Sequence, residues 1–318
     1  MTREISGIHH VTAIASDPQR NLDFYTDVLG LRLVKLTVNF DDPATYHFYF
    51  GDGMGRPGTI LTFFPWPGAR RGRHGNGQVA VTSFSIPEGS VGYWEERLKR
   101  HDISVGEPSR RFDEEALVFL DPDGMQLELV PHPGSGGNTR WVSGPVPSEH
   151  AIQGFQGVTM WEENVERTVE LLTETLGFHL QAEAGQRLRF KAASDGPGAL
   201  VDVIHRPHGE RGQGGAGTVH HVAWRTPNDE EQTAWQAEIA GRGYRVSPVM
   251  DRQYFHSIYF REPGGVLFEI ATDPPGFSLD EPQDGLGQDL KLPPWLEPQR
   301  SQIEEMLPRL HLPARVAV

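Results

Sequence analysis

One pattern occurs four times along the chain: an apolar strand, a short amphipathic helix, then strands of which the last starts at a turn glycine. The first strands cover 7–13, 78–84, 155–161 and 219–225. The last read Gly58-Thr59-Ile60-Leu61-Thr62, Gly124-Met125-Gln126-Leu127-Glu128, Gly198-Ala199-Leu200-Val201-Asp202 and Gly265-Val266-Leu267-Phe268-Glu269. Between them apolar residues recur at helical spacing. Leu22, Tyr25 and Leu29 follow the cap and first-position proline of Asp17-Pro18 and stop at Gly30. Val91, Trp94 and Leu98 follow Ser90; Val165, Val169, Leu172 and Leu176 follow Asn164; Trp235 and Ile239 follow Asn228 or Asp229. The repeat is βαβββ, and repetition of this kind fixes architecture before any single residue is weighed.

Two of the hairpin turns read alike, Phe119-Leu120-Asp121-Pro122-Asp123-Gly124 and Tyr259-Phe260-Arg261-Glu262-Pro263-Gly264. A Gly/Ser/Pro-rich stretch separates the second unit from the third. The expected division is a first domain over 5–132 (units one and two), a linker over 133–152 and a second domain over 153–273 (units three and four). A Pro-rich tail over 274–318 reads as a wrap or lid, with a short helix near 301–307.

The 318 residues suit about two domains. A net charge of -14 excludes the basic footprint that a nucleic acid or an anionic membrane requires. No apolar run approaches the roughly 20 residues of a membrane span. The absence of cysteine rules out disulfides, zinc–thiolate sites and thiol nucleophiles together. A soluble cytoplasmic protein is expected.

Chemistry enters through two strands with a His-His pair, Gly7-Ile8-His9-His10-Val11-Thr12 and Thr218-Val219-His220-His221-Val222-Ala223. Across the units the first-strand position holds His10, Ala80, Gly157 and His221, and the last-strand position holds Thr62, Glu128, Asp202 and Glu269. Neighbouring units give no complete ligand set. Unit one against unit four gives His10, His221 and Glu269, with Thr62 in the fourth place. Two histidines and one carboxylate form a facial triad that leaves open positions on a ferrous ion. Units two and three would enclose carboxylates without an imidazole. Strand alternation puts His9 and His220 on the opposite face from the ligands. There they either fix imidazole orientation or face solvent. His47 reads as structural.

With these residues assembled, the chain resembles the vicinal-oxygen-chelate superfamily, and within it the bacterial hydroquinone-type ring-cleaving dioxygenases. Phe24-Tyr25, Leu29-Gly30-Leu31 and the stretches 7–12, 34–42, 46–51, 58–67, 214–224 and 254–275 carry the likeness, which covers nearly the whole chain. The resemblance implies an α+β fold whose four modules form two paired half-barrel domains. It implies Fe(II), or Mn(II), on His10, His221 and Glu269. It places Thr12, Arg252 and Tyr259 in the pocket and His9 and His220 behind the ligands. Arg252 and Tyr259 otherwise read as a surface ion-pair arginine and a core tyrosine.

The implied activity is that of an oxidoreductase. It cleaves the ring of a hydroquinone- or catechol-type diol with O2, as a homo-oligomer (dimer or higher). Three protein ligands leave room for diol and O2 on one ion. Tyr259 would hydrogen-bond an oxygen and Arg252 would balance developing negative charge. Trp224, Phe63 and Phe64 are candidate wall residues. A glyoxalase-type isomerase is the rival of the same fold; its four-ligand site would need a carboxylate or Gln at Thr62. A non-catalytic aromatic-binding protein is the rival of another class, and the intact triad counts against it.

Overall fold

The computed structural model describes residues 3–133, 141, 143–195 and 198–313. Unit one contains β1 (Ile8–Ala15), α1 (Pro18–Asp23, continued by a π turn over Phe24–Val28), β2 (Arg32–Asn39), β3 (Asp42–Gly51) and β4 (Ile60–Pro65). Unit two contains β5 (Gln78–Pro87), α2 (Val91–Arg100), β6 (Ser109–Arg111), β7 (Glu114–Leu120) and β8 (Gln126–His132). Unit three contains β9 (Gly154–Glu162), α3 (Glu166–Glu170, with a π turn over Leu171–Thr175), β10 (His179–Ala184), β11 (Arg187–Lys191) and β12 (Leu200–His205). Unit four contains β13 (Val219–Thr226), α4 (Asp229–Gly241), β14 (Met250–Asp251), β15 (Phe255–Arg261) and β16 (Leu267–Pro275). Of the linker, 134–140 and 142 lie outside the described residues. No described helix is long and apolar enough to cross a membrane.

The units pair through their first strands into two curled eight-stranded sheets. One runs β14-β15-β16-β13-β1-β4-β3-β2 and joins units four and one; the other runs β10-β11-β12-β9-β5-β8-β7-β6 and joins three and two. The sheets thus cross the division between 5–132 and 153–273. The connectors between units one and two and between three and four pair with each other, at Arg71 with Ala216 and Arg73 with Gln213.

Local chemistry explains the element ends. Asp17 accepts from the Arg20 amide at 2.8 Å and Asn228 from the Glu231 amide at 2.9 Å, so both cap as their positions predict. Ser90 does not cap, because its hydroxyl turns to His150 Nδ1 at 3.0 Å. Asn164 does not cap either; α3 starts after Val165 without a side-chain cap. The turn glycines Gly58, Gly124, Gly198 and Gly265 all have positive φ, between 77° and 114°. A residue with a Cβ is strained there, which is why each last strand is led by glycine.

Helices cover the convex faces and bury the main core, which includes Trp94, Trp224, Trp235 and Phe63. Each fully buried large apolar side chain contributes roughly 1.5–3 kcal/mol. The tail covers the other face of edge strand β2, so that all eight of its residues are buried. Lys35 is its anchor: Nζ meets Asp280 Oδ1 at 2.6 Å and also Glu281. Farther along, the Lys291 amide donates to Leu36 O at 2.9 Å and Tyr46 donates to Pro308 O at 2.9 Å. Helix α5 (Arg300–Met306) stands where a short helix is expected.

Candidate metal centre

The sheet of units one and four brings His10, His221 and Glu269 together on its concave side. One ligand atom from each lies within 4.8 Å of the others. His10 Nε2 and His221 Nε2 are 3.3 Å apart, and Glu269 Oε2 lies 3.4 Å from the first and 2.9 Å from the second. All three residues are buried, Glu269 completely. Register produces the convergence: β1 pairs His10 with Ala223, and β16 pairs Glu269 with that same Ala223.

Each ligand histidine touches its neighbour in the chain. His9 Nδ1 is 2.9 Å from His10 Nδ1, and His220 Nδ1 is 2.8 Å from His221 Nδ1. Simple alternation would put these rings on opposite faces. The structure corrects that expectation with two β-bulges, because His9 is the extra residue between the Ile8–Trp224 and His10–Ala223 pairs, and His220 is the extra residue on the other strand. His9 is buried, and its ring also faces the Thr272 backbone. The contact between the two Nδ1 atoms fixes the plane of the His10 ring, whose Nε2 faces Glu269. His220 is exposed and borders the cavity.

Electrostatics leave the set ready for a cation. Burial lowers His221, favouring neutral imidazole. Burial alone would raise the Glu269 carboxyl, but His10 and His221 hold it well below the usual range. Ser257 donates to Glu269 Oε1, while Oε2 has no hydrogen-bond partner among the described residues. A buried carboxylate oxygen without a donor, facing two imidazole nitrogens, fits a divalent ion. Among the described residues no other three such side chains converge.

A cavity of about 340 Å³ opens over the set. Tyr259 stands beside the ligands, paired with Glu269 across the strands, and Arg252 donates from Nε to its hydroxyl at 3.2 Å. Arg252 Nη1 also reaches Asp41 Oδ2 at 3.0 Å on the far lip. Burial first, then the Glu269 charge, raises Tyr259, so it remains a protonated donor. Thr12 bonds Thr62 at 2.8 Å, and Thr62 in turn bonds His47 Nε2 at 2.8 Å. Of the expected wall residues, Phe64 lines the cavity, but Trp224 and Phe63 point into the helix-side core. Strand parity separates Phe63 from Phe64. A larger cavity of about 490 Å³ lies away from this cluster, between Arg32, Trp141 and the tail.

One reading is corrected, since His47 was expected to be structural, and two cavity features went unread in the sequence. His47 lines the wall, Ser257 orients Glu269, and Phe255 packs its ring 5.0 Å from that of His10. Parity carried two of the signals. Phe48 and Phe50 belong to the core, so His47 and Tyr49 face the other way; Ser257 shares a face with Tyr259.

In the other sheet the repeat needs one correction. Thr12 pairs with Thr62, and its counterpart Ser83 pairs with Glu128. Val81, not Ala80, therefore matches His10, because Ala80 is the bulged residue. Glu128 and Asp202 are held by arginines: Arg111 Nη2 meets Glu128 at 2.7 Å, and Arg189 grips Asp202 at 2.8 and 2.9 Å. Guanidinium groups fill that centre.

The Glyoxalase/Bleomycin resistance protein/Dioxygenase superfamily matches residues 7–129 and 154–270. The "Putative ring-cleaving dioxygenase MhqO" of Bacillus subtilis strain 168 is 51% identical over 96% of this chain and 97% of its own. The chlorohydroquinone/hydroquinone 1,2-dioxygenase of Sphingobium indicum is 33% identical over 95% and 96%. A crystal structure of a putative dioxygenase from Bacillus subtilis superposes with a TM-score of 0.94 at 49% identity, covering 98% of this chain and 99% of that one. Maize glyoxalase I shares the fold at a TM-score of 0.63 and 15% identity, over 84% and 92%.

Proposed function

The chain belongs to the glyoxalase/bleomycin resistance protein/dioxygenase superfamily and is an oxygenase of its ring-cleaving branch, and from that premise we propose Fe(II)-dependent cleavage of hydroquinone-type diols at His10, His221 and Glu269. The observation that carries the proposal is the convergence of three ligand atoms with a threonine in the fourth place. Thr62 is hydrogen-bonded to Thr12 and His47, so its hydroxyl is engaged away from the ligands. A four-ligand isomerase would need a carboxylate or amide there. Mn(II) is the alternative ion for the same donors.

His10, His221 and Glu269 would hold the ferrous ion, which would supply the Lewis acidity and redox chemistry that joins a diol to O2. The chain's own groups do the rest. The buried Tyr259 hydroxyl donates a hydrogen bond to an oxygen above the ligands. Arg252 fixes the Tyr259 oxygen and adds positive charge where negative charge develops. Thr12, His9 and His220 hold their neighbours, and His9 and His220 set the tautomers of the ligand rings. Phe255 and Phe64 give apolar walls that exclude water. A single-ring diol suits a cavity of this size. The proposal includes a soluble, cytoplasmic homo-oligomer without nucleic-acid or membrane partners, in keeping with the acidic charge.

The test is oxygen uptake by anaerobically purified, Fe(II)-loaded protein given methylhydroquinone, chlorohydroquinone or catechol, with iron measured on the same sample. Rapid uptake that scales with iron and yields a ring-opened chromophore is expected. A fully loaded protein that consumes no oxygen with any diol rules the reading out.

A further inference from the structure

We propose that His47 selects the substrate by hydrogen-bonding the diol hydroxyl that lies away from the metal ligands. The inference rests on the ring-cleaving reading above and deepens it. His47 stands on β3, two strands from His10 in the order β1-β4-β3. At ordinary strand spacing that is roughly 10 Å across the sheet, and the register (Phe48 with Phe63, Phe63 with Ala13) offsets His47 along the strands as well. Both residues line one cavity.

The ring is held in place. Nε2 is 2.8 Å from Thr62 Oγ1, which is 2.8 Å from Thr12 Oγ1. Tyr49 and Phe64 flank it at centroid distances of 4.0 and 4.3 Å. Nδ1 has no hydrogen-bond partner among the described residues, and the ring is half-buried and lines the cavity. A histidine that merely filled space would not need one nitrogen fixed and the other left free in a binding cavity. Burial lowers its pKa well below the ordinary value, so the ring stays neutral. A neutral imidazole can accept from a hydroxyl or donate to it.

Position says which hydroxyl this is. Tyr259 borders the opposite side of the cavity, beyond β16, beside Glu269, and Arg252 holds its hydroxyl before reaching over to Asp41. A catechol carries both hydroxyls to that end. A hydroquinone presents its second hydroxyl across the ring, toward β3. His47 therefore favours diols with opposed hydroxyls over phenols that lack the second one.

The experiment is anaerobic calorimetry on Fe(II)-loaded wild type and His47→Leu, titrated with hydroquinone and with 4-methylphenol. Iron content and melting temperature are matched first. Wild type should bind hydroquinone about tenfold more tightly than 4-methylphenol, the size of one hydrogen bond. His47→Leu should erase that preference by weakening hydroquinone alone. If the leucine variant does not fold, His47→Phe, which suits the aromatic surroundings, takes its place in the comparison. A variant that keeps the preference, or a wild type that has none, overturns the inference. Oxygen uptake on the same samples separates the two proposals: a preference lost in the variant without turnover in wild type sinks the dioxygenase reading and leaves His47 as a diol-recognition residue.

Discussion

Each ligand imidazole leans on the histidine beside it, and a bulge in the strand makes that contact possible. The carboxylate leans on a hydroxyl instead, since Ser257 donates to Glu269 Oε1. Groups that orient ligands typically matter tenfold to a hundredfold in metal affinity. Ser257→Ala should therefore weaken iron binding by about tenfold to a hundredfold without unfolding the protein. Competition with a chelator measures this, and unchanged affinity would show that Glu269 needs no second anchor. Tyr259→Phe removes a donor but no ligand. It should retain iron and lower kcat by roughly a hundredfold, in the range for one lost donor in a charge-stabilising site. A parallel loss of iron would mean that Tyr259 holds the ligands, not the substrate. The triad itself was legible because a repeat turns three scattered residues into equivalent positions. His9 and His220 were half legible, since the residue pair is plain in the sequence but a bulge is not.

Among the elements, the turn glycines were the most readable, because the positive φ each requires leaves few alternatives to glycine. Helix caps were less so. Asp17 and Asn228 cap, whereas Ser90 has a tertiary partner in His150 that no local pattern contains. The centre of the second sheet was readable only as a lack of imidazoles. The arginines that neutralise Glu128 and Asp202 come from β6 and β11, strands whose facing depends on register across the sheet. Arg189 is 6% exposed and also meets Glu114 at 2.9 Å. Removing one partner of a buried ion pair commonly costs about 3–5 kcal/mol, because the other charge remains buried. Arg189→Met should lower the melting temperature by many degrees while iron affinity stays at the wild-type value. Calorimetric melting and iron titration check the two halves, and a fall in iron affinity would tie this sheet to the metal centre.

At the scale of the whole molecule, the two sheets meet at a pair of carboxyl groups. Glu162 ends β9 in one sheet and is 1% exposed; Glu262 opens the β15–β16 hairpin of the other and is 2% exposed. Glu262 accepts from Thr168 Oγ1 at 2.7 Å and from the Val266 amide at 2.8 Å. The Glu162 carboxyl lies against Gly264, where an added Cβ would fall 1.7 Å from Oε2. Burial, then the charge of Glu262 and a hydrogen bond to it, raises Glu162 to about 9, with Arg211 opposing. The folded protein thus keeps a proton that the unfolded chain releases in the ordinary carboxylate range. Between those limits the folded state binds more protons, so stability falls as pH rises and levels off above about 9. The loss from this group is on the order of a few kcal/mol. Glu162→Gln keeps a neutral donor toward Glu262 and has nothing to release. Its melting temperature should match wild type near pH 5 and exceed it by several degrees near pH 9, where the unfolded wild-type chain has long released the Glu162 proton that the folded state still holds in part. Melting curves for both proteins across that range isolate Glu162 from every other titrating group, since only the difference between them counts. A difference that stays flat with pH would mean that the two sheets meet without a shared proton.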